Sequence, residues 1–348
     1  MTGLALSGGG LKGAYEVGVY KAFLECHIKI DGFVGTSIGA LNAAALASGK
    51  FHELYDFWQN IDAGEVFGFT NELSDEVNNS EHIDFKLVKE IASNIKSIVK
   101  NKGISTSGIR KVLEAFELEK ELYKSKKDFG LCTVRADGFK PIYIFKEQIE
   151  PRLLNDYLIA SCSLPIFKLE KMIDNNYYLD GGFHDNIPVN SLLARGYDKV
   201  YAIDLNAIGL KRPASDKNKV VYIRPSRRLG SILDIKQEDI RRNIQLGNLD
   251  ALKILKNLDG NKYLFKVKSK IYYEFLVKRV DKKLLLEMKK FFRTSNPKKL
   301  VIKALEYVMK KNNYDDLLVY SPGKVMKEIR GMKKNYGVYK FIEKLKII

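Results

Sequence analysis

The stretch Gly35-Thr36-Ser37-Ile38-Gly39 follows the apolar pair Phe33-Val34 and precedes an alanine-rich run over residues 40–47. This order predicts a strand, a tight turn and a helix, with a serine at the turn. Glycines on both sides of the serine let the backbone bend sharply, as in the G-x-S-x-G nucleophile elbow, where the hydroxyl projects from the turn. The helix after Ser37 directs its free N–H groups and its dipole toward anionic species. A serine in this setting indicates acyl transfer.

A second glycine-rich segment, Gly8-Gly9-Gly10-Leu11-Lys12-Gly13, follows a predicted strand over residues 2–7 and opens a predicted helix over residues 14–27. It satisfies the dinucleotide fingerprint G-x-G-x-x-G, which also requires an acidic residue at the end of the second strand. Asp31 has about the required distance but precedes its strand. The alternative is an oxyanion hole, in which the N–H groups of consecutive glycines face a carbonyl oxygen as it becomes anionic. The nearby elbow favours the oxyanion hole.

The third segment is Asp180-Gly181-Gly182, which follows the apolar Tyr177-Tyr178-Leu179. A carboxylate at the end of a strand in a parallel sheet emerges at the same edge as the other strand ends. A lone D-G-G is more often a turn than a catalytic base. Its significance here comes from the elbow and the glycine loop in the same chain.

The three segments together resemble the patatin-like phospholipase family. The shared pattern is G-G-G-x-[KR]-G after the first strand, then G-T-S-x-G, then D-G-G leading into Asn186-Ile187-Pro188-Val189. Residues 160–167 are similar to that family's A-S-x-x-x-P segment. The resemblance covers roughly residues 1–205. Lys12 stands where the family usually has arginine, which keeps the charge but not the bidentate fork. Lys12 therefore has three open roles: holding the loop, attracting a phosphate, or simple solvent exposure.

The resemblance implies a Ser37–Asp180 dyad in which Asp180 accepts the Ser37 proton while the alkoxide attacks an ester carbonyl. It also implies an oxyanion hole at Gly8, Gly9 and Gly10, an acyl-enzyme, and no metal or other cofactor. The supporting positions of the motifs are Lys12, Gly13, Gly35, Gly39, Gly181 and Gly182. The expected function is a lipid acyl hydrolase of the phospholipase A or lysophospholipase type, with phospholipid or another lipid ester as substrate. The alternatives are a general acylesterase on soluble esters and a ligand-gated lipase effector whose C-terminal half is a sensor.

The chain has only four histidines, His27, His52, His82 and His184, which is consistent with a dyad that needs no histidine. Only His184, four residues after Asp180, is placed near the predicted site, and its contribution stays open.

Three cysteines, Cys26, Cys132 and Cys162, have no metal-like spacing, and an odd number of cysteines indicates a reduced, cytoplasmic setting. Cys162 is expected to be a buried structural thiol. No run of eighteen apolar residues predicts a transmembrane helix, and residues 1–6 lack the basic start of a signal peptide. We expect a cytoplasmic protein, with peripheral membrane contact as an option.

The charge is distributed unequally along the chain. Residues 1–205 contain 23 Lys+Arg against 28 Asp+Glu, and residues 206–348 contain 36 against 14. This difference predicts a catalytic domain over residues 1–205 and a Lys-rich C-terminal extension over residues 206–348. We expect the extension to meet an anionic membrane through amphipathic segments at 271–280 and 284–292. Packing on the catalytic domain ranks second and binding of an anionic regulator third; no motif supports nucleic-acid binding.

Hydrophobic periodicity predicts strands at 2–7, 33–34, 129–134, 141–145, 177–179 and 200–205, and an irregular insertion or lid at 62–83. It predicts helices at 14–27, 38–48, 84–100, 107–123 and 151–162. Beyond residue 224 it predicts helices at 235–258, 271–292, 297–312, 322–330 and 338–346, with a short strand near 262–267. The alternation indicates a three-layer α/β/α sandwich with a mostly parallel central sheet, followed by a mainly helical basic region.

Overall fold

A computed structural model describes residues 1–67, 103–230, 236–332 and 334–345. Its main sheet has the strand order β4-β3-β2-β1-β6-β7, with β5 paired to β3. Strands β3, β2, β1, β6 and β7 are parallel, whereas β4 and β5 run antiparallel to β3. The strands are β1 (Thr2–Leu6), β2 (Gly32–Thr36), β3 (Asp128–Arg135), β4 (Lys140–Phe145), β5 (Tyr178–Asp180), β6 (Lys199–Ile203) and β7 (Val220–Ile223).

The described residues divide into two compact units, Met1–Asp250 and Ala251–Ile348. Helices of the first unit are α1 (Ala14–Glu25), α2 (Ile38–Ala47), α3 (Phe51–Asn60), α4 (Ala63–Phe67), α5 (Ser107–Phe116), α6 (Leu118–Lys124), α7 (Leu154–Ser161), α8 (Val189–Ala194) and most of α9 (Gln237–Leu255). The second unit contains α10 (Lys270–Val277), α11 (Lys282–Phe291), α12 (Pro297–Lys311), α13 (Pro322–Gly331) and α14 (Gly337–Lys344), with a two-stranded sheet of β8 (Leu264–Phe265) and β9 (Val319–Tyr320).

Successive side chains of a strand point to opposite faces of the sheet, so the apolar strands place apolar side chains on both faces. Helices cover both faces of the main sheet. On one face, Val34 of β2 and Val200 of β6 pack in a buried cluster with Leu192 of α8. On the other face, the Phe33 ring lies 5.8 Å from the Tyr20 ring of α1. The result is the predicted three-layer α/β/α sandwich with a mostly parallel sheet.

Several predicted elements have different bounds in the structure. The helix predicted at 107–123 is two helices, α5 and α6, separated at Glu117, whose φ of 44° lies in the left-handed region. The helix predicted at 271–292 is also two, because Asp281 accepts hydrogen bonds from the Lys283 and Leu284 N–H groups and so starts α11. Strand β7 was not predicted. The helix predicted at 84–100 and most of the insertion at 62–83 lie outside the described residues.

The structural division at residues 250/251 does not coincide with the charge-based boundary predicted at 205/206. Strand β7 adds to the main sheet beside β6, and α9 packs on α1, so residues 206–250 belong to the first compact unit. Divided in this way, Met1–Asp250 contains 33 Lys+Arg and 33 Asp+Glu, whereas Ala251–Ile348 contains 26 against 9. The whole net charge of +17 therefore lies in the second unit.

The second unit has its own apolar core, to which every one of its helices contributes. Tyr273 and Leu276 of α10 and Met288 of α11 are buried in it. Most apolar side chains of the segments 271–280 and 284–292, predicted to meet a membrane, are thus occupied by packing inside the unit. Ile271, Leu286 and Phe291 remain exposed, at 75%, 55% and 56%. Within the described residues, no helix has both the length and the apolar character that crossing a bilayer requires.

Candidate active site

Ser37 occupies the turn between β2 and α2 in a strained conformation. Its φ is 57° and its ψ is −131°, a region that a residue with a Cβ enters only when its surroundings enforce it. The Ser37 N–H donates to the Ser161 hydroxyl oxygen at 2.9 Å, and that hydroxyl donates to the Cys132 carbonyl at 2.7 Å. Ser161 therefore links the turn to the neighbouring strand β3 and holds it in place.

Two glycines make this turn sterically feasible. A Cβ on Gly35 would lie 2.2 Å from the Gly39 carbonyl oxygen, and one on Gly39 would lie 2.6 Å from the Leu6 carbonyl oxygen. Any side chain at either position would push α2 away from β1 and β2. The predicted elbow is thus present in the structure, with Ser37 7% exposed at its tip.

Strands β2 and β5, which carry the chain to Ser37 and Asp180, pair with the same edge of β3. They run toward each other along that edge. Strand β2 runs parallel to β3 and ends with Thr36 opposite Cys132. Strand β5 runs antiparallel to β3 and ends with Asp180 opposite Thr133. Because Cys132 and Thr133 are adjacent, the ends of β2 and β5 meet head to head. The sequence interpretation, in which Asp180 ended a parallel strand, was wrong about the direction of approach.

The Asp180 carboxyl is buried and only partly satisfied. Its Oδ1 accepts a hydrogen bond from the Gly182 N–H at 2.7 Å. Burial raises the pKa of Asp180 to about 6, and polar contacts with the Ser37 hydroxyl and the Gly182 N–H limit that rise. The Ser37 contact is loose, since Oδ2 has no partner in full hydrogen-bond geometry among the described residues. A carboxylate whose pKa is close to neutral pH and that lies beside a hydroxyl group can accept the proton of that hydroxyl.

The glycine loop lies against the elbow. A Cβ on Gly8 would lie 3.1 Å from the Ser37 Cβ and 2.4 Å from Asn186 Oδ1. The Gly8 N–H donates to the Asn186 carbonyl at 3.1 Å, so it is already used within the chain. Gly9 and Gly10 are partly exposed, and their N–H groups have no acceptor within the described part of the chain. Gly10 has a φ of 56°.

The remaining motif positions are packed around this centre. A Cβ on Gly13 would lie 2.7 Å from Ile38 Cγ1, and one on Gly181 would lie 2.2 Å from the Cys132 carbonyl oxygen. Gly182 supplies the N–H that binds Asp180. Lys12 follows the glycine loop and is half-buried.

His184 lies against Arg212. One guanidinium nitrogen of Arg212 lies 3.2 Å from Nδ1 and 3.3 Å from Nε2 of His184. Burial and the adjacent Arg212 charge both lower the pKa of His184. The next residue, Asp185, accepts a hydrogen bond from the Tyr143 hydroxyl at 3.1 Å, and burial raises its pKa to about 6. No described histidine contacts the Ser37 hydroxyl or the Asp180 carboxyl; His82 lies outside the described residues.

Two residues next to Ser37 were not assigned to the site from the sequence. Ser161 belongs to the A-S-x-x-x-P segment, whose pattern alone predicts no role for its serine. The Cys162 thiol contacts the Ser37 hydroxyl, and burial raises the pKa of this thiol well above its usual value, so it is neutral. Cys162 is buried as expected, but it lies at the nucleophile itself.

A narrow apolar groove lies among helices α2 to α6, next to the turn that carries Ser37. Ile38, the residue after Ser37, lines it, and Asn42 is the only polar residue among the described residues of its lining. The other walls come from α2 to α6: Leu41, Ala45, Leu54, Phe57, Trp58, Val66, Ile109, Val112, Leu113, Phe116 and Leu118. Its lining is of the apolar kind that contacts aliphatic chains.

No group of three or more His, Cys, Asp or Glu side chains placed to hold a metal ion occurs among the described residues.

The chain matches the family model of patatin-like phospholipase over residues 4–193, more than half of its length. It belongs to the patatin-like phospholipase family. The matched range contains the glycine loop, the elbow and the D-G-G segment.

Curated relatives include the lysophospholipase nte1 of Aspergillus terreus, 27% identical over 211 residues, and the lysophospholipase NTE1 of Kluyveromyces lactis, 27% identical over 218 residues. In both cases the alignment covers 61% of this chain but only 12% and 13% of the relative, respectively. The chain thus spans about an eighth of the length of these relatives.

Solved structures similar to this chain include VipD from Legionella pneumophila, with a TM-score of 0.47 and 13% identity. That alignment covers 98% of this chain and 83% of VipD. ExoU from the type III secretion system of Pseudomonas aeruginosa, solved in complex with SpcU, has a TM-score of 0.36 and 15% identity, with coverages of 100% and 66%.

Proposed function

We propose that the chain is a lipid acyl hydrolase of the phospholipase A or lysophospholipase type, with Ser37 as nucleophile and Asp180 as general base. The observation that carries this proposal is the head-to-head meeting of β2 and β5, which brings a strained serine to a buried carboxyl with one unpartnered oxygen. Membership in the patatin-like phospholipase family supports a lipid ester as the substrate class.

In the proposed reaction, Asp180 takes the proton of Ser37 while Oγ attacks the ester carbonyl carbon. The carbonyl oxygen becomes an oxyanion and accepts hydrogen bonds from the Gly9 and Gly10 N–H groups, because Gly8 already donates to Asn186. Collapse of this intermediate expels the alcohol, which takes the proton from Asp180, and leaves Ser37 acylated. Asp180 then takes a proton from water, whose oxygen attacks the acyl carbon. The bond between the acyl carbon and Ser37 Oγ then breaks, the fatty acid leaves, and Asp180 returns its proton to Oγ.

The apolar groove next to the Ser37 turn supports an aliphatic acyl group as part of the substrate. Each methylene transferred from water to such a surface contributes about 0.8 kcal/mol. A general esterase for small soluble esters has no need of this groove, so the groove favours the lipid substrate over that alternative.

The test compares a hexadecanoyl ester with a butanoyl ester of the same alcohol, in wild type and in Leu41→Trp. Leu41 is partly exposed in the groove, and a larger side chain there should occupy the space of the acyl chain. We expect wild type to favour the long ester in kcat/KM, and Leu41→Trp to reduce this preference about tenfold or more. The control is Leu24→Trp at an exposed position of α1. Equal kcat/KM for the two esters in wild type would support the general esterase instead.

We also propose that the second unit contacts an anionic lipid surface. Residues 266–271, the basic segment, are all exposed and alternate three lysines with Val267, Ser269 and Ile271. Lysines of this kind are attracted by anionic headgroups, while exposed aliphatic side chains enter the interface between headgroups and acyl chains. The charge of the whole unit reinforces this attraction.

A further inference from the structure

Asn42, in the elbow helix α2, has a buried amide whose hydrogen-bonding groups all have partners. The residue lies in an alanine-rich stretch and is 1% exposed. Its Nδ2 donates to the Gly13 carbonyl at 3.0 Å and to Glu16 Oε2 at 2.8 Å, and its Oδ1 accepts a hydrogen bond from the Trp58 indole N–H at 2.9 Å. Both N–H donors and the oxygen of the amide are therefore used.

These partners allow only one orientation of the amide. If the amide were flipped, its oxygen would face the Gly13 carbonyl and its N–H groups would face the Trp58 N–H. Glu16 and Trp58 are buried, so water does not replace the bonds that a flip would break. A buried amide costs free energy unless it is hydrogen-bonded, whereas alanines like those that follow Asn42 pack without a partner. The amide therefore specifies a geometry that an apolar side chain would leave open.

The amide holds the end of the glycine loop against α2. The Gly13 carbonyl that it binds ends the short turn Gly10–Gly13, and the Gly10 N–H has no acceptor in the described part of the chain. A Cβ on Gly13 would lie 3.1 Å from Nδ2 of this amide. The start of the loop also touches α2, since a Cβ on Gly39 would lie 2.7 Å from the Ser7 carbonyl oxygen. The loop donors thus lie between two contacts with the same helix.

Helix α2 also carries the nucleophile. It begins directly after Ser37, whose carbonyl accepts hydrogen bonds from the Ala40 N–H at 2.8 Å and the Leu41 N–H at 3.4 Å. Asn42 follows Leu41, so its hydrogen bond to Gly13 links the glycine loop to the element that positions Ser37. An oxyanion is stabilised by donors about 2.7–3.1 Å from the position it will occupy, so a small displacement of the loop weakens that stabilisation.

We propose that Asn42 is a positioning residue for the oxyanion hole and holds the glycine loop at the distance from Ser37 that the reaction requires. Glu16 and Trp58 fix the orientation of its amide. This inference rests on the proposed lipid hydrolase function and assigns a role in that same site. Because the oxyanion forms only on the way through the transition state, loss of the Asn42 amide lowers kcat and leaves KM nearly unchanged.

The test measures kcat and KM for the hexadecanoyl and butanoyl esters in wild type, Asn42→Ala and Trp58→Phe. Asn42→Ala removes the hydrogen bond to Gly13 and continues the alanine-rich sequence of α2. Trp58→Phe keeps an aromatic ring but removes the donor that orients the amide. We expect kcat to fall about 10- to 100-fold in Asn42→Ala and about 3- to 10-fold in Trp58→Phe, with KM within about threefold of wild type.

The two esters separate this role from a role in the apolar groove, which Asn42 and Trp58 also line. The fall in kcat should be the same for both esters, because both need the oxyanion hole. A loss confined to the hexadecanoyl ester would make Asn42 a wall of the groove only and would overturn the inference. An unchanged kcat in folded Asn42→Ala would overturn it too. If circular dichroism shows that Asn42→Ala does not fold, Trp58→Phe decides by the same criteria.

The control for the loss of a buried side-chain hydrogen bond is Tyr197→Phe. The Tyr197 hydroxyl donates to Asp128 Oδ2 at 2.9 Å, at the start of β3 and away from the strand ends that carry the site. Both kcat and KM of this variant should equal those of wild type. A fall in kcat as large as that of Asn42→Ala would show a general effect of lost buried bonds, against the inference.

Hydrogen exchange tests the inference without turnover, so it applies even if wild type hydrolyses neither ester, a result that would reject the proposed function. The Lys12 N–H donates to the Gly9 carbonyl at 3.2 Å and closes the turn of the loop. Mass spectrometry of a peptide spanning residues 7–13 should show at least about tenfold faster exchange in folded Asn42→Ala or Trp58→Phe, with β6 unchanged. Exchange of this peptide at the wild-type rate would overturn the inference.

Discussion

Ser37 and Asp180 belong to segments separated by more than 140 residues, and the position of each depends on hydrogen bonds to β3 or its neighbours. Ser161 holds the Ser37 N–H, and the Asp180 N–H donates to the Ser163 carbonyl at 2.9 Å. Both anchors come from the end of α7, so one short segment fixes the backbone of both groups. Strain at Ser37 is maintained by these bonds and by the close approach at Gly35 and Gly39.

The raised pKa of Asp180 gives a prediction for the pH dependence of activity. The carboxyl accepts a proton from Ser37 only when it is ionised, so kcat/KM should rise with pH, reach half its maximum near pH 6 and level off above pH 7. The folded protein binds this proton more tightly than the unfolded chain, in which the pKa is near 3.8, so protonation of Asp180 between pH 6 and 4 does not favour unfolding.

Asp185 also has a pKa of about 6, which makes Asp185→Asn the necessary control for the pH profile. If Asp180 is the titrating base, the profile of this variant should keep its midpoint. If the midpoint moved to pH 4 or disappeared in Asp185→Asn, the titrating group would be Asp185, and the assignment to Asp180 would be contradicted.

At the scale of elements, the position of the glycine loop depends on how α1 packs against its neighbours. Helix α1 crosses α9 with the two backbones in direct contact: a Cβ on Gly18 would lie 1.8 Å from the Ile244 carbonyl oxygen, and one on Gly247 would lie 2.0 Å from the Tyr15 carbonyl oxygen. The Tyr15 hydroxyl donates to Asp250 at 3.0 Å beside this crossing. Helix α9 thereby determines the position of α1 and of the loop before it.

Gly18→Ala should therefore lower the free energy of unfolding by about 1–3 kcal/mol, because the added methyl group forces the helices apart. Chemical denaturation with circular dichroism measures this change. Gln245→Ala is the control, since Gln245 is exposed on α9, the helix that Gly18 contacts, and it should stay within about 0.5 kcal/mol of wild type. Equal stabilities of Gly18→Ala and Gln245→Ala would contradict the close helix contact.

The sequence predicted the main strands and the site segments because these carry local signals: apolar runs, glycine turns and a serine between glycines. It did not predict the break at Glu117, since a left-handed residue other than glycine leaves no compositional mark. It placed Asp180 at the end of a parallel strand, because strand direction depends on pairing with distant residues. Ser161 carried no signal for its role, since a buried serine acquires a partner only in the folded chain.

At the scale of the whole molecule, the net positive charge and the candidate active site lie in different units. The first unit is electrically balanced and carries Ser37 and Asp180, whereas the second carries the net charge. Composition alone revealed this separation but set its boundary 45 residues too early. Residues 206–250, which include β7 and most of α9, have an excess of basic residues yet belong to the first unit.

Lys→Gln changes at residues 266, 268 and 270 together should weaken binding to vesicles that contain phosphatidylglycerol. Three lysines near an anionic surface contribute about 1 kcal/mol each at low salt, so the partition coefficient should fall about 100-fold. Co-sedimentation with vesicles measures the effect, which should shrink at high salt. The control neutralises three exposed lysines of the first unit, Lys29, Lys126 and Lys171. Equal losses in the two triple variants would indicate nonspecific attraction only.

The most direct test of the Ser37–Asp180 pair is fatty-acid release from phosphatidylglycerol-containing liposomes by wild type, Ser37→Ala, Asp180→Asn and His184→Ala, with a chelator present. We predict a loss of about 10³-fold or more in Ser37→Ala and of 10²- to 10⁴-fold in Asp180→Asn, with His184→Ala close to wild type. Release by Asp180→Asn at the wild-type rate would contradict the account, as would a loss in a folded His184→Ala equal to that in Asp180→Asn.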